Sequence, residues 1–313
     1  MRICSLLPSA TEILYALGLG DSVVGVTFEC DYPPEARAKR IVVHSRLSGS
    51  QDAGEIDREV GEFVARGESL YAVDQAALRD AAPDLIVTQE LCHVCAATPG
   101  DLASSLALLP RAPQVLSLSA QTLAGVWKDV RNLGTATGRG AQAEQLIREL
   151  ERRLVAVEQA ITGSANRSRI VCLEWLDPPF VAGHWVPEMV ALAGGSDALG
   201  EPGEPGFRTT WENVLSVEPE VILIMPCGYH LDSVVEELEK MLMPEGWGAL
   251  PAVRNSRVFA VDASSYFSRP GPRLATGVEI LASVLHPDHA PVKPPAASVK
   301  RWESSNLPRP QGL

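Results

Sequence analysis

The sequence predicts an α/β protein of two lobes, each built on a parallel sheet, joined by one long helix. Three observations predict it. Short apolar runs alternate with helical stripes, the pattern of strands buried on both faces between crossover helices. Residues 139–162 then carry apolar side chains at Leu146, Ile147, Leu150, Leu154 and Val157, a stripe too long for a crossover. At 1.5 Å per residue it would reach roughly 36 Å, the length of a strut. After it the alternation restarts, and the two halves echo one another.

Taken in order, residues 2–7 form a strand, and Ser9-Ala10-Thr11-Glu12 opens a helix as a capping box that closes at Gly18. Strands follow at 23–27, 84–88 and 115–118. Residues 121–137 read as a helix with Leu123, Val126, Val130 and Leu133 on one face, and Gly138 separates it from the strut. Beyond the strut come a strand at 169–174, a helix at 185–193 closed by Gly194-Gly195, and a second capping box at Thr209-Thr210-Trp211-Glu212. Strands at 220–225 and 257–261 and a helix at 272–285 complete the half. The echo lies between 78–87 and 214–223: each reads as a capped helix, a Pro turn (Pro83, Pro219) and a buried strand. The expected organisation is an N-terminal lobe (1–120), connecting helices (121–165), a C-terminal lobe (166–286) and a Pro-rich, mobile tail (287–313) carrying six prolines.

Composition removes several function classes. Of 313 residues, 46% are hydrophobic and 21% charged, with a formal net charge of −12. Neither a nucleic-acid backbone nor an anionic membrane suits such a surface. No apolar run approaches the roughly 20 residues that span a bilayer, and Met1 leads straight into a strand without a signal-like segment. The sequence as it stands therefore reads as a cytoplasmic monomer, periplasmic if a leader was removed. Six cysteines at 4, 30, 92, 95, 172 and 227 are too scattered for a disulfide scaffold. Cys4 and Cys172 fall inside strands and read as buried apolar side chains.

Ligands of open α/β sheets bind beyond the carboxyl ends of the strands. There the sequence places Phe28, Glu29, Cys30, Asp31 and Tyr32; Gln89 to Cys95; Trp175, Phe180, His184 and Trp185; Cys227, Tyr229 and His230; and Ser264 to Arg269 with Arg273. About half of the chain's 17 aromatic residues lie on these segments, the composition of a broad, flat-walled ligand site over an aliphatic scaffold. Each aromatic taken singly is equally suited to cap a sheet end, since its ring is amphipathic.

The run R-I-C-S-L-L-P-S-A-T-E-I-L-Y-A-L-G-L-G-D-S-V-V-G-V-T followed by C-D-Y-P-P resembles the start of the class III substrate-binding proteins, closest to their cobalamin-binding branch. A-P-D-L-I-V-T, E-N-V-L-S-V-E-P-E-V-I-L-I and R-P-G-P-R at 269–273 extend the resemblance in order over residues 2–286. It implies two Rossmann-like lobes, a ligand cleft between them, and a corrinoid ligand such as cobalamin rather than a catalytic cofactor. It carries the corrinoid-contacting positions to Glu29, Ser265, Tyr266, Phe267, Ser268 and Arg269. Rings can lie on the corrin face while Ser and Arg bond its carbonyls. Phe28, Tyr32, Gln89, Trp175, Trp185 and Tyr229 complete the expected ligand-binding set. An ABC permease is the implied partner, with Glu212 in the docking position of the second lobe. In the first lobe Ala76 occupies that position, with Asp74 two residues away, and Gln89 stands at a cleft tryptophan position.

Cys92-His93-Val94-Cys95 admits three readings: a zinc site, which needs further ligands; a redox pair; or a loop that shapes a wall or holds a local disulfide. His93, His184 and His230 could each offer a nitrogen to cobalt or haem iron. No nucleophile elbow, P-loop or metalloprotease motif occurs, and Gly18-Leu19-Gly20 follows a helix rather than a strand, so no enzyme is expected. Two alternatives stand beside corrinoid binding: a haem or iron-siderophore binder on the same fold, and a cytoplasmic redox or metal-handling protein using Cys92, His93 and Cys95.

Overall fold

A computed structural model describes residues 1–49, 52–89, 99–163 and 167–303. The chain divides into two compact units, Met1–Glu151 with Arg269–Pro272, and Arg152–Ser268 with Arg273–Leu313.

Unit 1 contains β1 (Ile3–Ser5), α1 (Pro8–Ala16), β2 (Val23–Thr27), β3 (Ile41–Ser45), α2 (Ala53–Ala65), β4 (Tyr71–Val73), α3 (Gln75–Ala81), β5 (Leu85–Gln89), α4 (Pro99–Leu106), β6 (Gln114–Leu118) and α5 (Leu123–Ala136). Its sheet runs β4-β3-β2-β1-β5-β6. All pairings are parallel except β3 with β4. The order reverses between β1 and β5, which creates a topological switch point at their carboxyl ends. The core is aliphatic, with Cys4, Leu6, Val42, Val43, Leu78, Ile86 and Leu102 packed together. Gly25 is required here: a Cβ would lie 2.7 Å from the Cys4 sulfur and 2.9 Å from Val42. Burial pushes the Cys4 thiol up to about 12, so it is an inert core side chain, as expected.

The helix α6 (Gly140–Ile161) spans 22 residues, about 33 Å at the α-helical rise, and the boundary between the units falls inside it. In unit 2, Arg153 of α6 donates to both carboxylate oxygens of Glu279, at 2.8 and 2.7 Å, and to Thr276 at 2.7 Å.

Unit 2 continues with β7 (Arg169–Leu176), β8 (Pro179–Val181), α7 (Val186–Leu192), β9 (Ser196–Asp197), β10 (Phe207–Arg208), α8 (Trp211–Ser216) and β11 (Val221–Ile224). It ends with α9 (Leu231–Lys240), α10 (Pro251–Arg254), β12 (Val258–Val261), α11 (Ala263–Tyr266), α12 (Leu274–Leu285) and β13 (Val299–Arg301). The sheet runs β10-β8-β7-β11-β12-β13, with β9 also paired to β7. The central β7, β11 and β12 are parallel, whereas β8, β10 and β13 add on antiparallel. Both sheets are therefore mixed, with parallel centres.

Two local expectations are corrected. Ser9 to Glu12 do not form a capping box. Pro8 takes the first helical position, Leu7 is the N-cap without a side-chain bond, and Ser9, Thr11 and Glu12 are buried within the first turns. The second box shifts by one residue, because Thr210 rather than Thr209 caps α8 by accepting from the Asn213 amide at 3.3 Å. The Pro-rich segment also contributes a strand, β13, to the sheet of unit 2. Lys300 pairs with Ala260 in β13, and Ser298 and Trp302 are buried. Those contacts are long-range pairings that local composition does not signal.

Candidate functional site

In unit 1 the loop after β2 turns away from the sheet at Phe28 and carries Glu29, Cys30 and Asp31. The Cys30 thiol is buried on the Thr11 hydroxyl at 3.1 Å, and Thr11 in turn donates to Ser5 at 2.8 Å. This hydroxyl–thiol chain ties β1, α1 and the loop together and fixes where the neighbouring carboxylates point.

Those carboxylates surround one cation. Arg269 belongs to unit 1. Its guanidinium donates to the Asp31 carboxylate and to the Glu29 carbonyl at 3.1 Å, and lies 3.6 Å from the Glu12 carboxylate. Its side chain is 12% exposed and that of Glu12 is 2% exposed. Three acids thus face one base in a poorly solvated spot. Desolvation pushes the Glu29 carboxyl up to about 6; Arg269 opposes that rise and Asp31 adds to it. The sequence reading has Arg269 bonding ligand carbonyls. The structure instead commits its donors to the protein, so the carboxylates become the polar groups this corner can offer.

The rest of the unit 1 set is spread around this corner. Phe28 and Tyr32 are exposed, and Phe28 is tilted against Tyr71 with ring centroids 6.5 Å apart. Gln89, the last residue of β5, is buried at the switch point. Cys92, His93 and Cys95 lie outside the described residues. Among the described residues no group of three or more His, Cys, Asp or Glu side chains forms a metal site.

Unit 2 is built differently. Its switch point lies between β7 and β11, and there Trp175 and Tyr229 meet edge to face with centroids 5.6 Å apart. The Trp175 indole N–H is buried and has no acceptor among the described residues. On the neighbouring strand end, Asp262 caps α11: its carboxylate accepts from the Ser265 amide at 2.9 Å, from the Ser265 hydroxyl at 2.8 Å, and contacts His230 Nδ1 at 3.0 Å. These bonds hold the Asp262 carboxyl below its ordinary range against the opposing effect of burial. The Ser265 hydroxyl is therefore engaged by the capping carboxylate.

Phe267 is also turned inward. It is 1% exposed, and its carbonyl accepts the Trp185 indole N–H at 2.7 Å. Trp185, itself buried and stacked on His184, is the strut beneath the 265–268 segment rather than a wall of a site. The close approach of α12 enforces this. A Cβ on Gly277 would collide with the Tyr266 carbonyl and with Met189. Tyr266 and Ser268 remain half-buried, and the Arg273 guanidinium sits 5.7 Å over the Tyr266 ring. Glu212 is exposed at the second position of α8, held below its ordinary value by its own amide and the Thr210 hydroxyl. Ala76 is likewise exposed on α3, and Asp74 is used as the N-cap of that helix, accepting from Ala77 at 2.9 Å.

Sequence reasoning missed Glu12, read as a cap, and the roles of Asp31, Asp262 and His230. A signal existed for Asp262, an Asp directly after an apolar strand and three residues before Ser265.

The arrangement positions polar groups and rings at strand ends. Comparison with known proteins agrees with a binding role. The chain is 28% identical over 294 residues to a Bacillus subtilis protein described as an uncharacterized ABC transporter substrate-binding lipoprotein, covering 92% of this chain and 80% of that one. It is 25% identical over 288 residues to the vitamin B12-binding protein of Vibrio cholerae, covering 91% and 88%. The periplasmic heme-binding protein RhuT of Roseiflexus sp. RS-1 superposes with a TM-score of 0.68 at 25% identity, covering 91% of this chain and 98% of that one. The relatives are solute-binding proteins and not enzymes. Residues 3–264 match the family model described as periplasmic binding protein, and the chain belongs to that family as a non-catalytic solute-binding protein.

Proposed function

We propose that this chain is the substrate-binding component of an ABC importer and that its ligand is a corrinoid of the cobalamin type. The observation that carries the choice of ligand is the pairing of Arg269. A haem presents two propionates, and many iron chelates are anionic, so either needs a free cation at the site. Here Arg269 is held by Asp31 and by the Glu29 carbonyl with Glu12 close by, and Arg273 lies over Tyr266. The acidic corner of unit 1 suits a ligand whose rim donates hydrogen bonds. A corrin is fringed with amides whose N–H groups can reach the carboxylates of Glu29 and Asp31.

Unit 2 carries a different chemistry at its own strand ends. The Trp175–Tyr229 pair and the Tyr266 ring are flat apolar surfaces, and the unpartnered Trp175 N–H is a donor for an amide carbonyl. Phe28 and Tyr32 of unit 1 add exposed rings, while Trp185, Phe267 and Ser265 hold the scaffold. Full-length likeness to a vitamin B12-binding protein supports the same ligand. Glu212, exposed on α8, is the group for a permease arginine. Its function places the protein on the outer side of the cytoplasmic membrane. Among the described residues no helix is long and apolar enough to cross a membrane.

Titration of the purified chain with cyanocobalamin, followed by corrin absorbance and calorimetry, tests this reading. Saturable one-to-one binding at micromolar concentration or tighter is expected. Haemin and a ferric hydroxamate run in parallel form the second arm, because a solved relative of similar fold is a heme-binding protein. Absence of corrinoid binding at tens of micromolar refutes the ligand assignment. Tighter haemin binding would move the assignment to haem.

A further inference from the structure

Unit 2 contains a cavity of about 680 Å³ away from the carboxyl-end loops. Its position follows from the strand pattern. Val258, Ala260 and Trp302 pack with α9 and α10 in the main core of the unit. By the two-residue period of a strand, Phe259 projects from the other face, with Arg301 opposite it in register. That face is covered by α12, which ends at Leu285. Beyond it the chain passes through Pro287 and Pro294, so the helical layer stops short of the edge that β13 adds. The gap is lined by Arg257, Phe259, Val284, Leu285, Val299 and Arg301, among others.

Two guanidiniums meet there in a chain of net charge −12. Arg257 donates to the Val284 and Leu285 carbonyls at 3.4 Å each and to the Ser168 hydroxyl at 3.2 Å, satisfying the carboxyl end of α12. Burial is the main reason that its pKa falls below the ordinary arginine value. Arg301 adds to that fall, and Glu220 opposes it. Arg301 lies 5.8 Å from the Phe259 ring centroid, and among the described residues it forms no ion pair. A cation without a carboxylate, an aromatic floor and aliphatic walls in a volume typical of small-molecule sites form a matched set.

We propose that this cavity is a second binding site, for a small organic anion. Its carboxylate or sulfonate meets Arg301, and its ring or branched apolar body lies on Phe259, Val284 and Leu285. The site does not depend on the corrinoid reading, since it uses none of the residues assigned to that ligand.

The probe is 8-anilinonaphthalene-1-sulfonate, titrated by fluorescence into the full chain with the carboxyl-end loops saturated with cyanocobalamin. One bound equivalent is expected. Arg301→Gln should weaken it about tenfold, the usual size of a lost charged hydrogen bond, while Arg301→Lys retains part of the affinity. Ser283→Trp, which fills the cavity, should abolish binding. A cationic fluorophore of similar size, dansylcadaverine, should not bind. Equal probe binding in the parent, Arg301→Gln and Ser283→Trp overturns the proposal, as does no binding at millimolar probe. Loss in Ser283→Trp with no change in Arg301→Gln would leave an apolar hole without anion recognition and also overturns it. Corrin absorbance changes that are identical in Arg301→Gln and the parent keep the two sites apart. Arg301 is exposed, so melting of its variants should match the parent to within a few degrees.

Discussion

The two units solve the same topological problem with opposite chemistry. Unit 1 gathers charge on the loop beyond β2, with Glu12, Glu29 and Asp31 around Arg269 over a buried Ser5–Thr11–Cys30 chain. Unit 2 gathers rings at its switch point, with Trp175 against Tyr229, while Asp262 at the neighbouring strand end is spent on capping α11. The likeness of the sheets explains why both units expose loops at strand ends. The difference shows that fold alone does not set what those loops recognise. In unit 1 the energetics are electrostatic and should follow pH. At the rings of unit 2 they are packing energies and should not.

The largest expected effect tests the packing side. Phe267→Ala empties a site whose ring is 1% exposed and loosens the segment that Trp185 and Gly277 hold. A loss of about 3–5 kcal/mol is expected in urea unfolding, nearly constant between pH 5 and 7. A strongly pH-dependent loss would contradict the contrast between the units.

Arg269→Leu tests the electrostatic side. Removing this guanidinium from three crowded carboxylates should cost about 3 kcal/mol at pH 7. The loss should shrink at pH 5, because Glu29 can then take up a proton. If the loss is the same at both pH values, the guanidinium acts by packing rather than by charge.

The third prediction concerns Glu29 alone. Its folded pKa of about 6 lies above the ordinary 4.5, so the folded state binds that proton more tightly than the unfolded state does. Its contribution is fully present below pH 4.5 and is lost as pH rises through 6. Glu29→Gln should therefore remove about 2 kcal/mol of pH-dependent stability from that window. Asp197 in unit 2, raised to about 6 by burial, works with the same sign and contributes to the slope that remains. Urea unfolding of the parent, Glu29→Gln and Asp197→Asn at intervals from pH 4 to 7 separates the two. An unchanged slope in both variants would refute the assignment.

The lobed α/β plan was legible because β1, β2, β5, β11 and β12 are apolar runs with buried side chains, and α6 carries an uninterrupted stripe. β3, β4 and β13 were not. Ile41 and Lys300 are exposed, and β4 and β13 are antiparallel edge strands defined by their partners rather than by their own composition. The site followed the same rule. Position beyond a strand end is a local property and was readable for Glu29, Trp175, Tyr229 and the 265–269 segment. Side-chain orientation is set by tertiary contact. Nothing near Phe267 in the chain announces that Trp185, 82 residues earlier, fixes its carbonyl, or that Asp31, 238 residues before Arg269, occupies its guanidinium.

The smallest effect expected concerns the feature in which the halves resemble each other most. α3 and α8 each lead through a Pro turn into a buried strand, and each is capped by a side-chain oxygen: Asp74 accepts from Ala77 at 2.9 Å and Thr210 from Asn213 at 3.3 Å. Truncation to Ala should cost about 1 kcal/mol in each case, within the usual range for an N-cap. The shorter contact and the charge of Asp74 next to the positive end of the helix should make its loss the greater of the two. Thr210→Ala should also release Glu212, whose carboxylate the Thr210 hydroxyl helps to hold below its ordinary pKa. The Glu212 titration, followed by side-chain carboxyl NMR, should then move up toward the ordinary glutamate value. A Glu212 titration that does not move on Thr210→Ala would mean the cap and the exposed acid are independent, and the kinship between α3 and α8 would extend no further than their backbones.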